Sequence, residues 1–478
     1  MSFKQKVTRG ALWSIIETWG QQAISFIVFF SLARLLGPES LGLISLAGAF
    51  VAFARIFINQ GFSQAIVQRH NLKSAHLDTA FWINLAISVL VVFFLTLLSS
   101  PIAIGFKEPL LAPILRWLSL GIIIDALSSI QQAVLQREFA FDALAKRSLV
   151  GILVGGIVGL SMALLGFGVW SIVVHMLITS LVKVIILWKL SNWRPGFQVN
   201  LEAFREIFSF GINIICISLL NFVTRHADDF LIGYFLGPIA LGYYSVAYRL
   251  LLSVTKVLIG VFHKIALPVF SRLQDQPIKL REVLYSAVEL TNLVAFPIFI
   301  GIILLAPELV MVIFGEQWLP SVPAMQVLNF LGILYGGFYY NSPLMIALGK
   351  PSWSLALKFL QAIGNVVGFM IAVHWGITAV ASAYVIRSYI MAPLTVWVIK
   401  KLIKIKVLTY LEKYMTPLLA SLLMSFSVLF CKHCIPTSNL YISLIFYGLV
   451  GIFTYAASIF FISPRLYKEA SRFLSYVG

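Results

Sequence analysis

Apolar residues in this chain come in long, nearly unbroken runs, without the alternation of a half-buried strand. A run of about 20 residues crosses roughly 30 Å of hydrocarbon as a helix. Main-chain groups in lipid must be satisfied internally, so these runs are predicted to be helices. The missing period-two pattern argues against a transmembrane barrel. About fourteen spans are predicted, near 11–35, 41–68, 80–100, 114–135, 148–165, 169–188, 206–235, 241–268, 284–306, 322–346, 353–374, 377–399, 414–431 and 440–462. The predicted fold class is therefore an all-α polytopic membrane protein.

The breaks between runs repeat. Leu36-Gly37-Pro38-Glu39-Ser40-Leu41-Gly42 returns as Leu236-Gly237-Pro238-Ile239-Ala240-Leu241-Gly242. A Gly-Pro pair removes a donor and fixes φ, so both copies read as the same helix-to-helix corner. The correspondence continues from Asn84-Leu85 to Asn292-Leu293, Pro113 to Pro323, Gly121 to Gly332 and Gly168 to Gly376. Two homologous six-span lobes are expected, 1–198 and 199–402, followed by two peripheral helices and a tail at 403–478. An even number of spans per repeat puts both lobes in one orientation. A pseudo-two-fold axis along the membrane normal then relates them, as is common in alternating-access transporters.

Composition sharpens the picture. Hydrophobic residues make up 60% and charged residues 11%, against about 25% charged in a soluble domain; mean hydropathy is +0.95. The net charge of +17 would suit nucleic acid, but its placement argues for topology instead. Segments on one side collect Lys4, Lys6, Arg9, Arg137, Lys146, Arg147 and the run Lys400 to Lys413, while the other side carries Arg34, Lys107 and Lys432. The positive-inside rule thus places both termini in the cytoplasm, and nucleic acid is not an expected partner. No cleavable signal peptide is evident. Cys431 and Cys434 form a lone Cys-x-x-Cys without the following His of haem attachment or a second pair for zinc.

Catalytic signatures are missing from the sequence. Gly349-Lys350 lacks the earlier glycine of a phosphate-binding loop. Asp228-Asp229 is adjacent, inside a predicted helix, and unlike an Asp-x-Asp metal pair. The expectation is that the chain is not an enzyme and carries no metal.

What remains is charge inside helices, which costs roughly 2.5–3.5 kcal/mol at mid-bilayer even on a forgiving scale and so demands a partner, a cavity or a role. The eighth span carries Arg249, Lys256 and His263 at seven-residue steps, and the second carries Arg55, Asn59 and Ser63 on one face. The first carries Glu17, Gln21 and Ser25; the seventh carries Asn221, Arg225, Asp228 and Asp229. These four spans are repeat equivalents, and their polar stripes suggest one hydrated central cavity. Within it Arg55, Arg249 and Lys256, with Asn59, Gln21, Asn221 and Arg225, are candidate contacts for a diphosphate headgroup, Arg by bidentate bonds and Lys as a point charge. A second reading is internal pairing, with Arg225 reaching Asp228 or Asp229 at i+3 and i+4. Glu17, Asp125, Asp228, Asp229 and Glu289 are the acids well inside spans, and Glu17, Asp228 and Asp229 are the candidate ion-coupling sites. Lys183, Lys358 and Arg387 read as structural or mouth-lining, and Trp19, Tyr248 and Tyr340 as aromatics able to stack on a sugar.

Five segments carry a family resemblance. They are Gly10-Ala11-Leu12-Trp13-Ser14, Ala33-Arg34-Leu35-Leu36-Gly37-Pro38, Asp229-Phe230-Leu231-Ile232-Gly233, Leu241-Gly242-Tyr243-Tyr244-Ser245 and Phe314-Gly315-Glu316-Gln317-Trp318. In order and spacing the chain resembles the polysaccharide transporter branch, the Wzx-type oligosaccharide flippases, of the multidrug/oligosaccharidyl-lipid/polysaccharide (MOP) superfamily. The resemblance implies two six-helix lobes around a central cavity in the bacterial cytoplasmic membrane. It implies translocation of a polyprenyl-diphosphate-linked oligosaccharide to the outer leaflet for surface polysaccharide export. It further implies coupling to a proton or sodium gradient without a cofactor, and partners among polysaccharide polymerases and export machinery. Related lipid II flippases use cavity arginines on the helices where Arg34, Arg55 and Arg249 lie here, although the surrounding motifs differ. The rival readings are a cation-coupled small-molecule antiporter of the same superfamily, which would prefer an acidic cavity, and a polytopic polysaccharide polymerase or ligase, which needs a large outer catalytic loop.

Overall fold

The computed structural model describes residues 3–58, 66, 74–198, 200–435 and 439–463. Fourteen α-helices run through these residues: α1 Phe3–Ile58, α2 Ser74–Phe106, α3 Leu111–Arg137, α4 Phe141–Leu164, α5 Trp170–Leu190, α6 Leu201–Phe235, α7 Gly237–Arg272, α8 Pro277–Ile313, α9 Val322–Phe338, α10 Asn341–Ala347, α11 Pro351–Ala372, α12 Ile377–Ile403, α13 Val407–Cys434 and α14 Leu440–Ile462. Among the described residues eleven helical stretches are long and apolar enough to cross a membrane. The first of them, Leu12–Ile58, covers the first predicted span and the described part of the second: Gly37 breaks α1 at φ 74° and ψ 173°, just ahead of Pro38. Helices α6 and α7, at 35 and 36 residues, supply the seventh and eighth predicted spans. The chain is a multi-pass helical membrane protein that forms two compact units, Met1–Gly242 and Tyr243–Gly478.

In the first unit the N-terminal arm of α1 lies along α4. Gly10 faces Phe141, Gly20 faces Leu149, and Val28 faces Gly156. Helix α4 meets α5 through Gly151, Gly155 and Gly159, one per turn, opposite Lys183, Thr179, His175 and Ser171. Small residues at this spacing let two helices approach closely, the packing that lipid, itself as apolar as leucine, favours. Helix α2 joins α3 by a bond from Asn84 Nδ2 to Ser129 Oγ of 2.8 Å. The segment after α5 is pinned to the start of α2: Gly196 N donates to Asp78 Oδ1 at 3.0 Å, Asn200 N to Thr79 Oγ1 at 3.0 Å, and Trp82 Nε1 to Gly196 O at 2.7 Å.

The repeated heptapeptides meet in this unit. Gly237 adopts φ 82°, as Gly37 adopts φ 74°. A Cβ at Gly42 would run into the Pro238 carbonyl, and one at Gly242 into the Pro38 carbonyl. The contact is reciprocal, so the second glycine of each motif is there for backbone approach and the first for the turn. Leu41 and Leu241 are both buried beside it.

In the second unit, α8 is the backbone of the packing. Phe270, Leu280, Leu284, Val288, Tyr340, Ile399 and Tyr410 form one core. The Phe314–Trp318 segment is a turn: Gly315 takes φ 96° and opens a 3-10 helix at Glu316–Ser321, which buries Trp318 completely. Helices α13 and α14 form a hairpin on α8, held by Tyr455 OH donating to Leu293 O at 2.7 Å. Two ion pairs flank that contact, Lys413 Nζ to Glu289 Oε2 at 2.8 Å and Lys432 Nζ to Glu308 Oε1 at 2.6 Å.

Candidate functional site

The densest charge inside a span lies in the first unit. Arg55, near the end of α1, pairs through Nη2 with Asp125 Oδ2 of α3 at 2.7 Å, and both side chains are about 40% exposed, at 43% and 42%. Ser148 Oγ of α4 donates to Glu17 Oε1 of α1 at 2.5 Å. Arg147 Nη1 donates to Gln132 Oε1 of α3 at 2.9 Å and lies within electrostatic reach of Glu17 and Asp125. Lys183 of α5 is within reach of the same two carboxylates and of Arg55 and Arg147. Three cations therefore face two carboxylates, leaving one positive charge in excess. Arg55 Nε and Arg147 Nε are buried and make no hydrogen bond among the described residues. A guanidinium with unmet donor capacity is suited to an anion that can displace its present neighbours.

The local sequence explains this geometry. The glycine at 151 leaves a notch that the Lys183 stem fills, its Cγ 2.7 Å from where a Cβ would stand. The apolar stem thus lies along α4 while the ammonium reaches the cluster, as long basic side chains do. Glu17 reaches Ser148 because Gly20 and Leu149 bring α1 onto α4.

Several expectations change here. Arg147, counted from the sequence among cytoplasmic loop cations, is inside a helix, because α4 begins at Phe141 and extends below the predicted span edge at 148. Lys183, read from the sequence as structural or mouth-lining, belongs to the charge cluster. Asp125 is the partner of Arg55. The available signal was the Gly151/Gly155/Gly159 stripe facing Ser171, His175, Thr179 and Lys183. It predicts which face of α5 meets α4.

The other candidates fall as follows. Gln21 and Asn221 are half-buried on α1 and α6, and Arg225 is exposed. Asp228 is buried at 2% exposure, and Asp229 Oδ2 lies 2.8 Å from His226 Nδ1, a partner the sequence reading did not name. Arg249 and Lys256 are exposed on α7. Asn59 and Ser63 lie outside the described residues, as does the side chain of His263. Glu289 is held by Lys413. Of the aromatics, Trp19 is exposed, Tyr340 is buried and bonded to Thr291 at 2.5 Å, and Tyr248 stacks on Tyr244 at 6.0 Å. Outside the spans, Glu108 in the turn after α2 is held above the usual carboxylate range by burial and by Glu39.

The site therefore lies in a two-unit, all-helical membrane protein, as a mixed-charge, net-positive cluster inside its helices. The model of the family described as polysaccharide biosynthesis protein matches residues 31–323, and the chain belongs to that family. The teichuronic acid biosynthesis protein TuaB of Bacillus subtilis is 26% identical over 87% of each chain. The lipopolysaccharide biosynthesis protein WzxC of Escherichia coli is 24% identical over 70% of this chain and 68% of its own. Among solved structures, the lipid II flippase MurJ in an inward closed conformation superposes with a TM-score of 0.79 at 16% identity, over 95% of this chain and 99% of that one. An inward-facing multidrug resistance MATE transporter superposes at 0.63 with 17% identity, over 80% and 94%. These two likenesses establish the fold. Of these two structural neighbours, one is a flippase and the other a transporter.

Proposed function

We propose that the chain moves a polyprenyl-diphosphate-linked oligosaccharide from the inner to the outer leaflet of the bacterial cytoplasmic membrane, for export of a surface polysaccharide of O-antigen, exopolysaccharide or teichuronic-acid type. The observation that carries this reading is the net-positive cluster of Arg55, Arg147 and Lys183 inside a chain of the polysaccharide biosynthesis family. A diphosphate is the part of such a substrate that lipid resists most, and guanidinium groups with unused donors are its natural partners. Asp125 holds Arg55 at 2.7 Å until the diphosphate competes for it. Arg249, Lys256, Asn59, Gln21, Asn221 and Arg225 are proposed as further headgroup contacts. Glu17, Asp228 and Asp229 are proposed sites for a coupling proton or sodium ion. The lobes 1–198 and 199–402 are proposed to alternate access, with 403–478 peripheral, both termini cytoplasmic, and polymerase and export machinery as partners.

The test is chemical. Cells depleted of the protein are extracted, and polyprenyl-diphosphate sugars facing the cytoplasm are identified. Accumulation of one oligosaccharide supports the reading and names the substrate. Intact surface polysaccharide with altered drug sensitivity moves the protein to the antiporter reading. In complemented cells, Arg55→Ala with Arg147→Ala is expected to restore less than a tenth of export at wild-type protein level. Full export by the double variant removes the cluster from the mechanism.

A further inference from the structure

A second concentration of charge, in the other unit, takes no part in that proposal. Helix α12 ends in Lys400 and Lys401, and Lys404 and Lys406 follow before α13 begins; all four are exposed. The Lys401 ammonium sits between two tryptophans, 5.2 Å from the ring centroid of Trp353 and 5.4 Å from that of Trp397. The rings themselves are 6.3 Å apart.

The segment is held rigidly. Lys404 takes the left-handed conformation at φ 55°, costly for a residue with a side chain and kept only where the surroundings demand it. Its N–H bonds to Lys400 O at 2.9 Å, its carbonyl accepts from Arg281 Nη1 at 3.0 Å, and Lys406 N donates to Tyr285 OH at 2.9 Å. Among the described residues none of the four lysines is in an ion pair. Four cations, none of them ion-paired among the described residues, therefore share one helix corner with an ordered backbone.

Apolar stripes lead into that corner. Helix α11 exposes Leu360 and Val367 at seven-residue steps from Trp353, and α12 exposes Ile386 and Ile390 on the approach to Trp397. From Ile386 to Trp397 is about 16 Å at 1.5 Å per residue, one leaflet's share of the roughly 30 Å hydrocarbon core. Tryptophan belongs at the headgroup level, and lysine clusters at helix ends recruit anionic lipid.

We infer that the corner where α11 starts and α12 ends is a docking site for an anionic phospholipid of the phosphatidylglycerol class. Its phosphate sits among Lys400, Lys401 and Lys404, and an acyl chain lies along the two exposed stripes. The site is independent of the diphosphate cluster, and the leaflet it faces follows the orientation proposed above.

The experiment uses the purified full-length protein in detergent, titrated with phosphatidylglycerol and with phosphatidylethanolamine of the same acyl chains, read by native mass spectrometry. Phosphatidylglycerol is expected to bind at least tenfold more tightly. Each lysine lost should weaken it about fivefold. Lys400→Gln/Lys401→Gln/Lys404→Gln should abolish the preference, and Lys401→Gln alone should reduce it if the triple variant folds poorly. Equal binding of the two lipids by the wild type, or an unchanged preference in variants whose thermal transition is preserved, overturns the inference. Undecaprenyl diphosphate is the third probe. If it displaces phosphatidylglycerol and its binding falls with the lysines, the corner captures substrate lipid and the phospholipid assignment is wrong.

Discussion

The two ion pairs between α8 and α13 form a ladder whose rungs can be tested separately. Glu289 and Glu308 are 19 residues apart, as are Lys413 and Lys432. At 1.5 Å per residue both spacings are about 28 Å, close to the roughly 30 Å thickness of the hydrocarbon core. The rungs therefore stand near opposite membrane boundaries, and the helices run parallel in fixed register. The side chains of the lower rung keep 27% and 18% exposure, those of the upper 21% and 16%. Each rung should lie between an exposed pair, worth up to about 1 kcal/mol, and a buried pair, whose disruption costs about 3–5 kcal/mol. We expect Lys413→Met to cost about 2 kcal/mol, because it strands the Glu289 carboxylate, and to lower the thermal transition of the detergent-purified protein by a few degrees. The double variant Lys413→Met/Glu289→Gln should recover most of that loss, since no charge is left unpartnered. The same cycle at Lys432 and Glu308 should recover less, because Lys432 also donates to Leu304 O at 2.8 Å and lies 5.8 Å from the Tyr447 ring. Strict additivity of the two single substitutions at the lower rung would refute the reasoning, because it would mean that the pair does not interact.

Two further outcomes follow from the corners of the fold. Gly42→Ala forces a Cβ onto the Pro238 carbonyl and is expected to cost about 1–3 kcal/mol, whereas Gly48→Ala, with nothing within 4 Å of the new carbon, should be neutral or stabilising; equal thermal stability of the two variants would contradict the reciprocal contact. Glu108 titrates above the ordinary carboxylate range in the folded protein through burial and Glu39, so between its unfolded and folded pKa the native state binds more protons and stability falls as pH rises. Glu108→Gln should therefore raise the thermal transition at pH 7 and leave it unchanged below the unfolded pKa; a gain that persists under acid would sink this assignment.

The helices were legible because lipid leaves one backbone solution per span, and the duplicated Leu-Gly-Pro corner showed where the chain turns. That the two corners pack on each other was not legible, since reciprocal glycines at 42 and 242 acquire meaning only when both backbones are in place. The charge cluster was half visible. Arg55 and Glu17 stood out as charges in the middle of apolar runs. Arg147 did not, because a hydropathy run begins where charge ends, while a helix goes on for as long as its hydrogen bonds do; α4 starts at Phe141, seven residues before the predicted span edge at 148. Lys183 was visible as an intramembrane charge, but its direction depends on a notch at Gly151, a property of two helices together. The same reasoning separates the acids. Glu289 and Asp125 both stood out as acids well inside spans, yet Glu289 forms a rung with Lys413, on a helix that packs against its own, whereas Asp125 pairs with Arg55 at 42% exposure. A pair fixed by packing on both flanks resists exchange. A half-exposed pair can give up its carboxylate when a stronger anion arrives. For that reason the pair of Arg55 with Asp125, beside the proposed coupling acid Glu17, is more open to exchange with a bound anion than the pair of Glu289 with Lys413.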